Sequence, residues 1–262
     1  MPPPSLQPSP PDAPTAILAI DTTAAHCSVA LARGSVIAGH SVPTVHGHSQ
    51  WVLRLVRRVI GEAAASPGAI AAIGFGAGPG SFTGLRVACG VAQGLGFGWG
   101  CPLVPVDAMR TLALQAAGEK APDVSAGAVC VALDVRMGEV CHAVFAPGAF
   151  SSDRWPEPIA ATRLGTPAEA LERFRSFESL GVLLAGDGFD VHRELGLWAG
   201  GLDPARRRAA AVQPDASAVA RLAAIGLRLG RAIDPAEAAP AYLRDKVALD
   251  VNEQAARRTA GA

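Results

Sequence analysis

The chain has 262 residues and no net charge at neutral pH, and its composition is 50% hydrophobic and 18% charged. This length accommodates about two domains of ordinary size, and the apolar content excludes an intrinsically disordered chain. A neutral chain also lacks the basic surface of a protein that binds nucleic acid tightly by itself.

Residues 1–15 are rich in proline and contain no basic residue, which predicts a disordered N-terminal tail. A secretory signal would need a positive start and an apolar stretch, and this segment has neither. The five cysteines show no CxxC spacing, and most of them stand within apolar runs. We therefore expect buried thiols and a reducing, cytoplasmic compartment.

Strand and helix signals alternate along the rest of the chain. Apolar runs predict strands at residues 17–20, 27–31, 36–38, 70–75, 103–106, 182–185 and 209–212, and helices at 48–64, 82–99 and 215–229. The segment 82–99 is apolar but contains Arg86, Gln93 and several glycines, so we expect a buried helix and no membrane span.

Residues 76–86 read GAGPGSFTGLR and form a glycine loop before the second helix. Ser81 stands at the N-cap position, where the free amides of the first helical turn attract anions. A P-loop would need Gly-Lys-Ser/Thr, but the two lysines of the chain, Lys120 and Lys246, are far away in sequence. Phosphate binding and tight packing of the helix both remain open at this point.

The second half of the chain restarts the first. An apolar strand ends at Asp21 and is followed by the strand 27–31, and a second apolar strand ends at Asp134 and is followed by the strand 139–145. Such an internal repeat predicts two similar lobes. Each Asp either caps the amides of a turn or holds magnesium and phosphate, as in the actin-like and sugar-kinase folds that this pattern resembles.

Four segments occur in a distinctive order: ILAIDT at 17–22, GPGSFTGLR at 78–86, DVRMGEV at 134–140 and PAYLR at 240–244. Together they resemble the TsaB family, also called YeaZ, over residues 16 to 247. The resemblance implies an α/β, two-lobed actin-like ATPase (ASKHA, ribonuclease H-like) fold with duplicated sheet-and-helix units. We expect lobes at residues 16–107 and 108–247, followed by a tail at 248–262.

The resemblance also implies a function. TsaB proteins are non-catalytic scaffold or activator subunits in the synthesis of tRNA threonylcarbamoyladenosine. Their paralogue TsaD carries the metal and transfers threonylcarbamoyl to N6 of the adenosine next to the anticodon, and the ATPase TsaE joins them. We therefore expect a cytoplasmic partner of TsaD that forms a homodimer when alone, contacts tRNA only through the complex and does not enter the membrane.

The resemblance further implies that the chain has no catalytic residue, metal or cofactor, with Asp21, Asp134 and Ser81 as vestigial nucleotide-site candidates. The alternative is an autonomous ATP-dependent small-molecule kinase of the same fold.

The distribution of histidines agrees with a non-catalytic role. TsaD holds its metal with two histidines separated by three residues on a helix, whereas here His46 and His48 stand at the start of the first helix and the next histidine is His142. No helix can therefore present such a pair. His46 and His48 either chelate a metal weakly or are ordinary loop histidines. No local Ser-His-Asp or Cys-His grouping supports a peptidase.

The first two predicted helices carry more apolar surface than one neighbour covers. The first has a wide apolar stripe, and the second has glycines at 90, 94 and 98 that permit close approach of another helix. Both helices either pack only on their own sheet or also form an intermolecular bundle with TsaD, as the resemblance implies. The predicted interface consists of Trp51, Val52, Leu55, Val59, Arg86, Val87, Gly90, Val91, Gly94 and Leu95.

Overall fold

The computed structural model describes residues 15–44, 47–118, 127–150, 154–202, 207–209 and 213–242, so the two predicted tails lie outside the described residues apart from Thr15. The first sheet contains β1 (Ala16–Asp21), β2 (His26–Arg33), β3 (Val36–Pro43), β4 (Ile70–Gly78) and β5 (Leu103–Asp107). The second contains β6 (Ala128–Asp134), β7 (Val140–Phe145), β8 (Pro158–Gly165), β9 (Val182–Ala185) and β10 (Arg207–Ala209).

The two sheets have the same topology. Their strand orders are β3-β2-β1-β4-β5 and β8-β7-β6-β9-β10. In each sheet the first strand pairs antiparallel with the second strand and parallel with the fourth. Asp21 and Asp134 end the corresponding strands β1 and β6. The predicted duplication is therefore confirmed.

Helices cover both faces of each sheet. They are α1 (His48–Glu62), α2 (Phe82–Trp99), α3 (Ala108–Ala117), α4 (Pro167–Arg175), α5 (Gly188–Val191), α6 (Arg193–Gly201) and α7 (Ala216–Arg228). The outer face of the first sheet packs on α1 and α2 and its inner face on α7, while the second sheet packs on α4–α6 outside and on α3 inside. Helices α3 and α7 contact each other between the sheets.

We use "first lobe" for the first sheet with α1, α2 and α7, and "second lobe" for the second sheet with α3–α6. This assignment differs from the expected range 108–247 for the second lobe, because α7 lies in that range but packs on the first sheet. The close packing depends on Gly74 of β4, where an added Cβ would lie 2.6 Å from the Cβ of Ala223. The exact lobe boundaries otherwise stay a prediction.

Local sequence sets the limits of α2. Ser81 is its N-cap, since the Ser81 hydroxyl accepts a hydrogen bond from the Gly84 amide at 3.3 Å. The helix ends at Gly100, which has a φ of 65° and can adopt this left-handed conformation without strain. Among the described residues, neither this helix nor another is long and apolar enough to cross a membrane.

Candidate functional site

A cleft of about 690 Å³ separates the two lobes. Its walls come from the β1–β2 turn, the glycine loop, the β6–β7 turn and the two ends of the short helix α5. The lining includes Thr23, Ala25, His48, Gly80, Ser81, Phe82, Asp134, Arg136, Met137, Asp187, Val191, Gln213 and Tyr242. Two of the three nucleotide-site candidates, Asp134 and Ser81, therefore face this cleft.

Asp21 is sealed away from the cleft. Its side chain is 1% exposed, and Oδ1 accepts hydrogen bonds from the amide and the hydroxyl of Thr23, both at 2.9 Å. Oδ2 has no hydrogen-bond partner within the described part of the chain and lies beside Gly76. Burial raises the pKa of Asp21 to about 6, against the hydrogen bonds from Thr23, which lower it. The geometry is that of a turn cap.

The glycine loop packs tightly against the β1–β2 turn. The Ser81 amide donates to the Thr23 carbonyl at 2.7 Å, and the Thr22 hydroxyl donates to the Gly84 carbonyl at 2.6 Å. A Cβ on Gly80 would lie 2.5 Å from the Thr23 carbonyl oxygen, and a Cβ on Gly84 would overlap the Thr22 carbonyl. Of the two interpretations of this loop, the geometry favours close packing over phosphate binding.

Asp134 sits at the equivalent position of the second lobe and belongs to a polar cluster. Its amide donates to Asp187 Oδ1 at 2.9 Å, and its own Oδ1 accepts from the Arg136 amide at 3.2 Å. His192 Nε2 lies 3.2 Å from Asp134 Oδ1 without the geometry of a hydrogen bond. Burial and, less strongly, the Asp134 charge raise the pKa of Asp187. Asp134 is thus held by its own turn and its neighbours.

One member of the predicted weak chelating pair, His46, lies outside the described residues. His48 is the first residue of α1, is buried and lines the cleft. Within the described ranges, no group of three or more His, Cys, Asp or Glu side chains is placed to hold a metal ion.

The predicted interface residues divide into two sets. Val52, Leu55 and Val59 are at most 4% exposed and lie in the core between α1 and the first sheet. Their assignment to a partner interface was wrong, because the strongest apolar stripe of α1 is the one that the sheet itself covers. Trp51, in contrast, is 37% exposed.

The remaining predicted residues lie on α2. Arg86, Gly90 and Gly94 are exposed, and within the described part of the chain no atom would lie within 4 Å of a Cβ added at either glycine. Val87, Val91 and Leu95 are half-buried at the margin of the core.

Three exposed aromatic residues near this face, Phe82, Phe97 and Tyr242, were not predicted from the sequence. Phe97, 62% exposed, follows Gly94 by almost one helical turn, and this spacing could have indicated it. Phe82 and Tyr242 contact each other with ring centroids 5.4 Å apart, and Arg86 Nε donates to the Tyr242 hydroxyl at 3.0 Å. The latter contact joins residues distant in sequence, so no local pattern could reveal it.

The repeated sheet topology, the central helix pair α3 and α7, and the cleft between the lobes define the class of two-lobed actin-like ATPase folds. The YeaZ structure of Pseudomonas aeruginosa is 27% identical, covers 87% of this chain and 100% of its own, and superimposes with a TM-score of 0.68. A second structure from the same organism is described as an uncharacterized protein with similarity to peptidase YEAZ. It is 28% identical, covers 88% of this chain and 100% of its own, and superimposes with a TM-score of 0.72.

Sequence comparison gives the family. The tRNA threonylcarbamoyladenosine biosynthesis protein TsaB of Escherichia coli strain K12 is 32% identical over 232 residues, which are 88% of this chain and 96% of that protein. Residues 42–249 also match the family described as TsaD, tRNA N6-adenosine threonylcarbamoyltransferase. The chain belongs to the TsaB family.

Proposed function

We propose that this chain is a non-catalytic subunit in the synthesis of tRNA threonylcarbamoyladenosine and acts as a scaffold for a TsaD-type transferase. Two findings support the pathway: the relative TsaB is named for this biosynthesis, and the matched TsaD family is named for the transfer reaction. The partner role rests on the surface of the first lobe.

The observation that carries the proposal is the exposed face of α1 and α2, which we call the outer helix face. It combines the exposed apolar side chains Leu53 and Phe97 with Gly90 and Gly94, which leave room for another helix. A row without side chains lets two helices approach closely, and the flanking apolar groups gain from being covered. We assign this face to the TsaD paralogue, or to a second copy of the chain when TsaD is absent.

We further propose that the ATPase TsaE joins the pair, that tRNA contacts the chain only through the complex, and that the complex works in the cytoplasm.

A catalytic role finds little support in the cleft. A kinase would need a carboxylate facing the ligand at both hairpin turns, and Asp21 is buried behind Thr23 and Gly76. Titration with ATP and magnesium measures this alternative directly. Micromolar nucleotide binding by the isolated chain would favour the kinase and contradict the scaffold.

Size-exclusion chromatography with the TsaD paralogue tests the interface. Gly94→Leu should place a bulky side chain in the contact at a cost of roughly 1–3 kcal/mol, which weakens binding about 5- to 150-fold. Gly200→Leu is the matched control, because Gly200 is equally open but lies on α6 of the second lobe. A folded Gly94→Leu variant that co-elutes like the unaltered chain would place the interface elsewhere.

A further inference from the structure

Residues 155–157, which we call the strap, lead into β8 of the second lobe but contact the first lobe. The indole of Trp155 is almost completely buried in the apolar cluster of the first sheet and α7. Gly226 of α7 makes room for it, since a Cβ there would lie 3.1 Å from Trp155 Cζ3. The second lobe thus inserts a large aromatic side chain into the core of the first.

Two arginines hold the strap in place. Arg110, at the start of α3, donates from Nε to the Pro156 carbonyl at 2.7 Å and from Nη2 to Glu157 Oε2 at 2.6 Å. Arg110 also pairs with Asp107, the last residue of β5. Arg231, which follows α7, donates to Glu157 Oε1 at 3.3 Å.

The same arginines flank the buried indole. The guanidinium carbon of Arg231 lies 4.8 Å from the centre of the Trp155 ring, and that of Arg110 lies 5.6 Å from it. Arg110 therefore links β5, α3 and the strap, while Arg231 links the end of α7 to the strap. A hinge movement of one lobe against the other would have to break the hydrogen bond from Arg231 to Glu157 and withdraw the indole from the first lobe. Arg110, on α3 of the second lobe, holds the strap in the orientation that inserts the indole.

We propose that the strap is an interlobe lock that fixes the width of the cleft. Neither the strap nor its two arginines are among the described residues that line the cleft. The lock therefore acts from outside the cleft. Two-lobed folds commonly close around ligands by hinge motion, and this contact opposes such motion. The inference does not rest on the proposed partner or pathway.

Pulsed electron paramagnetic resonance can test the lock. Spin labels on Ala25→Cys and Val191→Cys would face each other across the cleft, since both residues are exposed and line it from opposite lobes. The five native cysteines are buried, so labelling should be selective. With the strap intact we expect one narrow distance distribution, with and without ATP and magnesium.

Arg110→Met removes the guanidinium that orients the strap within the second lobe and pairs with Asp107 at the end of β5. We expect the mean distance to shift by more than about 2 Å, the size of a true domain rearrangement, or the distribution to split. Arg54→Met is the control, because Arg54 also stacks on a tryptophan, Trp51, but lies on α1. An unchanged distribution in a folded Arg110→Met variant would overturn the proposal.

A second variant covers the case in which Arg110→Met does not fold. Glu157→Gln combined with Arg231→Gln changes only side chains that are about half exposed or more, so its fold should persist. The lock predicts a broader distance distribution for this double variant than for the unaltered chain. An unchanged distribution in this variant would equally overturn the lock.

Discussion

Asp21→Asn is expected to remove the contribution of one buried carboxylate to the pH dependence of this protein's stability. Asn retains the oxygen that accepts both hydrogen bonds from Thr23 but carries no charge. The variant therefore separates the cost of burying the carboxylate from the benefit of capping the turn. The comparison is made as a function of pH, because an Asn amide beside Gly76 has its own desolvation cost at every pH.

The magnitude follows from the two pKa values. Burial raises the pKa of Asp21 from 3.8 in the unfolded chain to about 6 in the folded chain. The folded state therefore binds this proton more tightly, and the resulting stabilisation is fully present below pH 3.8 and is lost as the pH rises through 6. The difference amounts to about 3 kcal/mol in total, of which about half falls between pH 5 and pH 8.

Guanidinium unfolding followed by circular dichroism at pH 5 and pH 8 measures the effect. The free energy of unfolding of the unaltered chain should fall by about 1 to 2 kcal/mol relative to that of Asp21→Asn between these two pH values. Asp190→Asn serves as the control, because Asp190 is an exposed carboxylate on α5.

Two outcomes would refute the reasoning. One is the same pH dependence in Asp21→Asn as in the unaltered chain, which would mean that the buried carboxylate carries no such cost. The other is stabilisation by magnesium at pH 8 that disappears in the variant, which would identify Asp21 as a metal ligand.

Three further predictions concern the first lobe and the reaction. Leu53 is 46% and Leu55 4% exposed, so Leu53→Asp should leave the chain folded but weaken co-elution with the TsaD paralogue, whereas Leu55→Asp should lower the free energy of unfolding by more than about 3 kcal/mol. Circular dichroism and size-exclusion chromatography of both variants distinguish the two faces of α1, and equal behaviour of the two variants would contradict the assignment. Gly76→Ala should lower the free energy of unfolding by about 1–3 kcal/mol, because the added Cβ meets Asp21 and lies 2.8 Å from Thr23 Cγ2, and an unchanged guanidinium midpoint would argue against tight packing. The isolated chain should not make threonylcarbamoyladenosine from tRNA and the threonylcarbamoyl adenylate, and turnover that is abolished by Asp21→Asn would show that it is itself a catalyst.

Local patterns predicted the elements of the fold well. Apolar runs ending in Asp21 and Asp134 marked the two equivalent strands, and the structure confirms the repeat. Ser81 and Gly100 are the N-cap and the C-cap of α2. Such ends can be read from the sequence, because capping depends on residues next to one another in the chain. The sheet on which α7 packs could not be predicted, because an amphipathic stripe shows that a face is buried without showing what buries it.

The same ambiguity explains the errors in the predicted interface. Val52, Leu55 and Val59 formed the clearest apolar stripe of α1, and that stripe is core. The outer helix face is marked by weaker signals, such as the open space beside Gly94 in the described part of the chain and the exposed Phe97. The strap contacts join residues far apart in the chain, and a single sequence contains no signal for such pairs.

The position of α7 has a consequence for the order in which the protein can fold during synthesis. The ribosome has synthesised all five strands of the first sheet once it reaches residue 108, but the helix that covers their inner face starts only at Ala216. In the finished protein α7 buries Ile17, Ala19 and Val104. Until α7 has been synthesised, it cannot cover these side chains on the ribosome. The strands of the first lobe are therefore synthesised before those of the second lobe, but we expect the first lobe to become resistant to proteolysis after the second.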